Sequence, residues 1–215
     1  PRLLFLMNEA LFFTTHRLPV AMAAQAAGFE VHVAAPFDEA PVAVIRGCGF
    51  DFYDLPLKRG GRSLWGEIHL LARCFNLIRT IKPDLVHHVA MKPVIFGGLV
   101  SRLMGVRAVV HAITGLGFLF IREDRLAMIM PLYRFALGHP NARVIFQNPD
   151  DLNMFLDHSL VSKDVTVMIK GCGVDMTVFA PGPTATSASI PIVMFPARIL
   201  GDKGVHEFIH AARSL

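Results

Sequence analysis

The strongest constraint on how this chain can fold is a rhythm. Apolar runs of about five residues alternate with longer amphipathic stretches from one end to the other. The runs Arg2–Met7, Glu30–Ala35, Asp51–Leu55, Leu85–His88, Ala108–Ala112, Arg143–Gln147, Val165–Ile169 and Ile192–Pro196 predict strands. The stretches between them predict helices over 16–27, 40–47, 63–81, 93–104, 124–138, 150–157 and 204–214. The strand runs are almost continuously apolar rather than alternating, as strands buried on both faces require. Such strands separated by helices predict an α/β class: a doubly wound, Rossmann-like parallel sheet.

Local signals sharpen this outline. Ser63 can cap the helix over 63–81, and Leu64, Ile68, Leu71, Phe75 and Ile78 follow the spacing of one buried stripe. Lys82-Pro83 ends that helix, because proline disfavours helical backbone at the residue before it. Gly28 reads as the C-cap of the first helix.

Several classes are excluded or disfavoured. The longest apolar runs are broken well before the ~18 residues of a spanning helix. The N-terminal segment has no basic, apolar and cleavage regions in series, so no signal peptide is expected. Cys48, Cys74 and Cys172 are few, odd in number and far apart, which suits a reducing, cytoplasmic setting and disfavours disulfides or a zinc site.

The formal net charge of +4 conceals an asymmetry. Residues 58–143 hold thirteen Lys/Arg against four Asp/Glu, and the remainder holds eight against thirteen. A basic middle points to an anionic partner: a phosphorylated substrate or an anionic membrane surface, with a merely solvated face as the bland alternative. Nucleic acid is disfavoured because aromatics do not interleave with the charges.

The composition breaks at Gly171-Cys172-Gly173-Val174-Asp175, and Pro181–Ser189 is a loose Pro/Thr/Ser/Ala run. We expect a first domain over 1–170, a hinge over 171–190 in which Gly171, Gly173 and Asp175 are prominent, and the start of a second domain over 191–215.

Ligands of open α/β sheets bind beyond the carboxyl ends of the strands. The first such loop, Asn8 to Arg17, contains no glycine, which argues against a dinucleotide fingerprint. Thr14 or Thr15 can cap the following helix. Asn8, Glu9, His16 and Arg17 are candidate crevice residues, and His16 and Arg17 would face the positive end of a helix dipole, where an anion should answer them. After the fourth strand, His88 and Lys92 are expected on the crevice, with His87 a core histidine. After the fifth, Thr114, Gly115 and Gly117 allow close backbone approach. Near the end of the chain, Arg198 and Lys203-Gly204 form a loop whose two cations can grip a diphosphate. No clustered ligands suggest a metal, and no P-loop or nucleophile elbow is present.

Together these residues carry a resemblance. The hinge Gly171-Cys172-Gly173-Val174-Asp175 with Phe179 and Pro181, followed by Arg198, Lys203-Gly204, Phe208-Ile209 and Ala211-Ala212, resembles the interdomain segment and first donor loop of family-4 retaining glycosyltransferases of the GT-B type. Phe12 to Pro19, Lys82 to His88 and Thr114 to Phe118 are similar to members that build capsule, O-antigen and other surface polysaccharides. The resemblance implies an acceptor-binding N-terminal domain and a nucleotide-sugar-binding C-terminal domain. It implies that Arg198 and Lys203 hold the donor diphosphate in place of a metal, that no cofactor is needed, and that anomeric configuration is retained. Two departures stand out. The first loop is not glycine-rich, and Thr114 occupies the place of a histidine found in many relatives, which leaves His16 and His111 as candidates for its catalytic role. The family's paired glutamates would lie beyond Leu215, so the chain alone is expected to be inactive. The acceptor implied is a glycan or polyprenyl-diphosphate-linked sugar, with contact at the cytoplasmic face of the membrane. Two other readings are a nucleotide-sugar 2-epimerase of the same architecture and a non-catalytic membrane- or glycan-binding module.

Overall fold

The computed structural model of the chain describes residues 1–57, 64–115, 123–180, 182, 192–197, 199 and 201–214. The chain divides into two compact units, Pro1–Gly173 and Val174–Leu215.

The first unit is built in the order β1 (Arg2–Leu6), α1 (Ala10–His16), α2 (Leu18–Ala26), β2 (Glu30–Ala35), α3 (Glu39–Gly47), β3 (Asp51–Asp54), α4 (Leu64–Ile81) and β4 (Leu85–Val89). A π-helical turn, Pro93–Gly97, then runs into α5 (Gly98–Leu103), followed by β5 (Ala108–Ile113), α6 (Glu123–Leu137), β6 (Ala142–Phe146), α7 (Pro149–Asp157) and β7 (Thr166–Met168). All seven strands pair in parallel, in the order β3-β2-β1-β4-β5-β6-β7. The expected Rossmann-like α/β sheet is present, and each of the seven strand runs before the hinge forms its strand.

The apolar runs work because alternate side chains feed opposite layers. Leu3 and Phe5 of β1 join Val31, Val33 and Ala35 of β2 under α1, α2 and α3. Leu4 and Leu6 point the other way, with Val86 and Val109, against the Leu70, Cys74, Leu77 and Ile81 side of α4. A third cluster packs Val144 and Phe146 of β6 on Tyr133 of α6 and Phe155 of α7.

Three expectations are corrected. Residues 10–16, expected as part of a loop, form α1; Thr14 and Thr15 donate to Leu11 O within it (3.0 and 2.8 Å) and do not cap α2. In α4 the buried side is Leu70, Cys74, Leu77, Ile78 and Ile81; of the expected stripe Ile78 is buried and Leu71 packs against the core, whereas Ile68 and Phe75 are 48% and 44% exposed and the side chain of Leu64 lies outside the described residues. The helix is apolar over a wide arc, so two stripes fit the spacing, and tertiary anchors choose. Arg2 Nη1 donates to Ile81 O (2.8 Å) and Arg73 Nη2 to Asp54 O (2.9 Å). Finally, Ile192–Pro196 forms no strand, because a strand needs a neighbour to pair with and none is present among the described residues. Ile192 and Met194 are 90% and 75% exposed. The second unit contains a 3-10 turn, Gly201–Lys203, and α8 (Val205–Ser214).

Candidate functional site

The strand order makes β1 and β4 neighbours, while the chain leaves β1 towards one face of the sheet and β4 towards the other. This is the switch point of a doubly wound sheet, where a crevice opens beyond the carboxyl ends of the strands. Its walls come from Asn8-Glu9 after β1, Ala90-Met91-Lys92 after β4 and Thr114-Gly115 after β5.

Each wall carries an unusual feature. Asn8 Oδ1 is buried without a hydrogen-bond partner, a state that costs about 1–3 kcal/mol unless something supplies a donor. Ala90 adopts φ +73°, in the left-handed region that non-glycine residues avoid, and such strain clusters at functional sites. Lys92 Nζ donates to Glu67 Oε1 at 2.8 Å, both side chains being 25% exposed, and Glu67 Oε2 is buried without a partner. Glu67 thus holds the ammonium beside the crevice. Directly after Lys92 comes the π-helical turn, a deviation frequent beside binding sites. Gly115 sits at φ +134°, which an L side chain rarely adopts.

The sequence-predicted residues separate into groups. Asn8, Glu9, Lys92, Thr114 and Gly115 lie at the switch-point edge. Gly117 and Arg198 lie outside the described residues. His16 and Arg17 are divided from Asn8 and Glu9 by α1, whose seven residues span ~10 Å. His16 ends α1, at the negative end of that helix dipole, so the expected clash of cation and dipole does not arise for it. Its ring stacks on Phe12 at 4.2 Å, and its Nδ1 lies 2.6 Å from Thr15 Oγ1. Arg17 turns inward, 8% exposed, with its Nε unpartnered and its guanidinium 6.0 Å from the Phe12 ring centroid. Burial pushes the Arg17 pKa below its ordinary value. His16 and Arg17 line a different cleft, of about 420 Å³, on the face of the sheet with Phe5, His87, Val110 and Cys172.

Of the two histidines of β4, His87 is a buried histidine set against backbone, as expected, whereas His88 is not on the crevice. His87 shares the parity of Leu85 and Val89 and lines the face cleft, its Nδ1 3.2 Å from Val110 O. Burial, reinforced by the Arg17 charge, lowers its pKa to about 4. His88 points to the opposite layer, fully buried, its Nε2 3.1 Å from Ser101 Oγ. It stacks on His111 with centroids 4.8 Å apart. His111 is also fully buried, both ring nitrogens lack partners, and burial lowers its pKa to about 3. His88 and His111 are therefore interior, neutral side chains rather than crevice groups. Period-two parity decides this: β4 can present only one of two successive histidines to each layer.

In the hinge segment Gly171 and Gly173 adopt φ +88° and +69°. Asp175 Oδ1 accepts from Thr177 N (2.8 Å) and Oγ1 (2.6 Å), and these bonds hold its carboxyl below the usual range. In the second unit Lys203 is exposed and Gly204 takes φ +79° just before α8. Among the described residues, one group of metal-type ligands lies within 4.8 Å: Glu30, His32 and Asp51, at the amino end of the sheet and away from the switch point. No described helix is long and apolar enough to cross a membrane. Sequence reasoning missed Glu67 and the strained Ala90. Glu67, the single carboxylate in α4, carried a faint signal in its isolation, and Ala90 carried none.

Comparison with known proteins gives this geometry a context. A glycosyltransferase from Rickettsia africae ESF-5 superimposes with a TM-score of 0.59 at 12% identity, over 79% of this chain and 42% of that one. UDP-GlcNAc 2-epimerase from Neisseria meningitidis, bound to UDP-GlcNAc, gives 0.55 at 17%, over 78% and 46%. Anabaena Alr3699/HepE in complex with UDP and glucose gives 0.55 at 14%, over 85% and 47%. At such identities the likeness is one of fold, and the chain spans less than half the length of these proteins. No curated protein sequence matches significantly. Residues 2–148, which include all three wall segments of the switch point, match the family model described as glycosyl transferase 4-like, and the chain belongs to that family.

Proposed function

We propose that this chain supplies the acceptor-binding side of a glycosyltransferase that moves a sugar from a nucleotide-sugar to a glycan or polyprenyl-diphosphate-linked acceptor in surface polysaccharide synthesis. The observation that carries the reading is the switch-point edge: Lys92 held by Glu67 at 2.8 Å, on the same carboxyl edge of the sheet as the buried, unpartnered Asn8 Oδ1, within the family-matched region. An ammonium and a carboxamide acceptor, fixed where charge and hydroxyl groups can enter together, suit a sugar hydroxyl next to an anionic group. In this reading residues 1–170 are the acceptor domain, 171–190 the hinge, and 191–215 the start of a donor domain. Arg198 and Lys203 answer the negative charge that develops on the leaving nucleotide diphosphate, so the reaction is metal-independent, and it retains anomeric configuration.

The test is transfer from labelled nucleotide-sugars by the 215-residue chain and by a form extended with a donor-binding domain. The short chain is expected to be silent and the extended form active, with Lys203→Ala and Lys92→Ala each lowering kcat/KM by roughly tenfold or more. Comparable turnover by the short chain overturns the division of labour. A second reading, a nucleotide-sugar 2-epimerase, is favoured by the 2-epimerase folds among the similar structures and by Glu9 and Glu67 at the crevice edge. Product analysis separates the two, since an epimerised free sugar nucleotide without transfer selects the epimerase.

A further inference from the structure

Three side chains with metal-binding atoms meet at the amino end of the sheet. Glu30 and His32 are two apart on β2, so they project from one face, and Asp51 opens β3 directly opposite His32 in the parallel register. One ligand atom from each lies within 4.8 Å of the others. The Glu30 and Asp51 side chains are 58% and 63% exposed, whereas the His32 side chain is 5% exposed. The cluster therefore has a dry floor and a wet mouth. The placement of the ring is unusual. His32 Nε2 is buried and has no hydrogen-bond partner, although Glu30 Oε1 is only 3.3 Å away. At that distance the oxygen must lie off the axis along which the nitrogen donates or accepts. The other ring nitrogen, Nδ1, lies 3.4 Å from Tyr53 Oη and 3.2 Å from Asp51 Oδ2.

We propose that Glu30, His32 and Asp51 form a binding site for a zinc ion. His32 ligates through Nε2, Glu30 and Asp51 each through a carboxylate oxygen, and water completes a four-coordinate shell. Tetrahedral zinc ligands at ~2.0–2.2 Å stand about 3.3–3.6 Å apart and off each other's axes, which is the relation of His32 Nε2 to Glu30 Oε1. A charged imidazolium paired with the two carboxylates is the poorer explanation, since both its nitrogens are donors and Nε2 donates to nothing. The donor set selects the cation. One imidazole with two carboxylates suits zinc, whereas calcium and magnesium take shells of oxygen and copper(I) takes sulfur. The surroundings support the site from behind. Arg2 Nε donates to Glu30 Oε2 at 3.3 Å and so leaves Oε1 to the cation. Burial, reinforced by Asp51 and Glu30 against the opposing charge of Arg2, raises the Tyr53 phenol above its ordinary pKa, as a locally negative field requires.

The position of the site decides its role. It stands at the opposite end of the strands from the switch point, so a zinc ion held there takes no part in sugar transfer. It ties the rim strand β3, only four residues long, to β2 through side chains as well as backbone, and so stabilises the first unit. The site does not depend on the transferase reading and can be tested without turnover.

The 215-residue chain, free of any added histidine tag and stripped with a chelator, is titrated with zinc chloride by calorimetry and with cobalt(II) by visible absorption. Expected results are about one zinc per chain, a cobalt spectrum of fewer than six ligands, and a melting midpoint raised by several degrees when free zinc is at ~100-fold its Kd. Glu30→Gln and Asp51→Asn are expected to lower zinc affinity by roughly tenfold or more each, and His32→Gln by more. The histidines of α8, His206 and His210, are one helical turn apart and could chelate zinc by themselves, so they serve as the control. His206→Ala combined with His210→Ala is expected to leave the affinity unchanged. The proposal fails if the stripped chain takes up no zinc, if Glu30→Gln and Asp51→Asn bind zinc as tightly as wild type, or if binding is lost with His206 and His210 instead. It also fails if magnesium or calcium binds as tightly as zinc, which reduces the cluster to an acidic patch. Glu30 and Asp51 carry exposed side chains, so their variants decide the matter even if His32→Gln does not fold.

Discussion

Acidification should unfold the first unit before its carboxylates titrate. His87, His88 and His111 are buried in or against the sheet, and in all three burial is the main force lowering the pKa. His87, lowered to about 4, and His111, lowered to about 3, stay neutral in the fold down to about those values, and His88 is pushed well below its ordinary value by the same burial. In the unfolded chain each returns to about 6.5. Between those values the unfolded state binds more protons, so stability is full above pH ~6.5 and falls as pH drops towards the folded values. At pH 5 an unfolded histidine has gained about 2 kcal/mol from protonation, because it lies about 1.5 units below its pKa at 1.36 kcal/mol per unit. That figure depends only on the folded pKa lying well below 5. His87 and His111 together lose about 4 kcal/mol, with His88 acting in the same direction, a large part of the roughly 5–15 kcal/mol that holds a domain together. Urea unfolding followed by circular dichroism at pH 8, 7, 6 and 5 measures this directly. The expected slope near pH 5.5 is at least about 2–3 kcal/mol per pH unit, equivalent to uptake of close to two protons from His87 and His111 on unfolding, with His88 adding to it. His111→Leu should reduce the uptake by one. A stability that is flat from pH 8 to 5, or an uptake below one proton, refutes the assignment of these rings as neutral and buried.

Other perturbations have equally definite signs. Gly97→Ala should destabilise by about 1–3 kcal/mol in urea unfolding, although alanine is the better helix former, because the new Cβ would lie 2.5 Å from His88 Cδ2 and 2.7 Å from Leu6 Cδ1. Asn8→Ala should be neutral or slightly stabilising by thermal melt, since it removes a buried acceptor with no partner, while ligand or acceptor affinity falls. Asn148→Ala should cost about 1 kcal/mol, because Asn148 Oδ1 accepts from Asp151 N at 2.8 Å and caps α7.

The sheet was legible because continuous apolar runs leave few alternatives. β1 is buried from Leu3 to Leu6, and nothing in its sequence competes with that reading. The failures share a physical cause: local patterns that admit two solutions. Residues 10–16 lacked start and stop signals, and the short α1 is held by burial of Ala10 and Phe13 rather than by caps. In α4 both apolar stripes satisfy the helical period, and hydrogen bonds from Arg2 and Arg73 select the other one. In β4 two adjacent histidines could exchange roles under a shift of one residue, and the pairing of Phe5 with His87 fixes which layer each enters. The site was legible as a place, the carboxyl edge, but not as a set of groups. The pairing of Glu67 with Lys92 joins residues 25 positions apart, and no local rule reports it.

The two rims of the sheet decide how this unit can go wrong. β3 is four residues long and begins and ends with an exposed aspartate, Asp51 and Asp54, while β7 has only three residues. A stray strand arriving at β3 must bring backbone against two carboxylates, and at β7 it finds too short a template to hold it. Growth by strand addition, the route to fibres, is closed at both sides. Partly unfolded molecules would instead meet through helix surfaces, in contacts that salt or dilution can reverse.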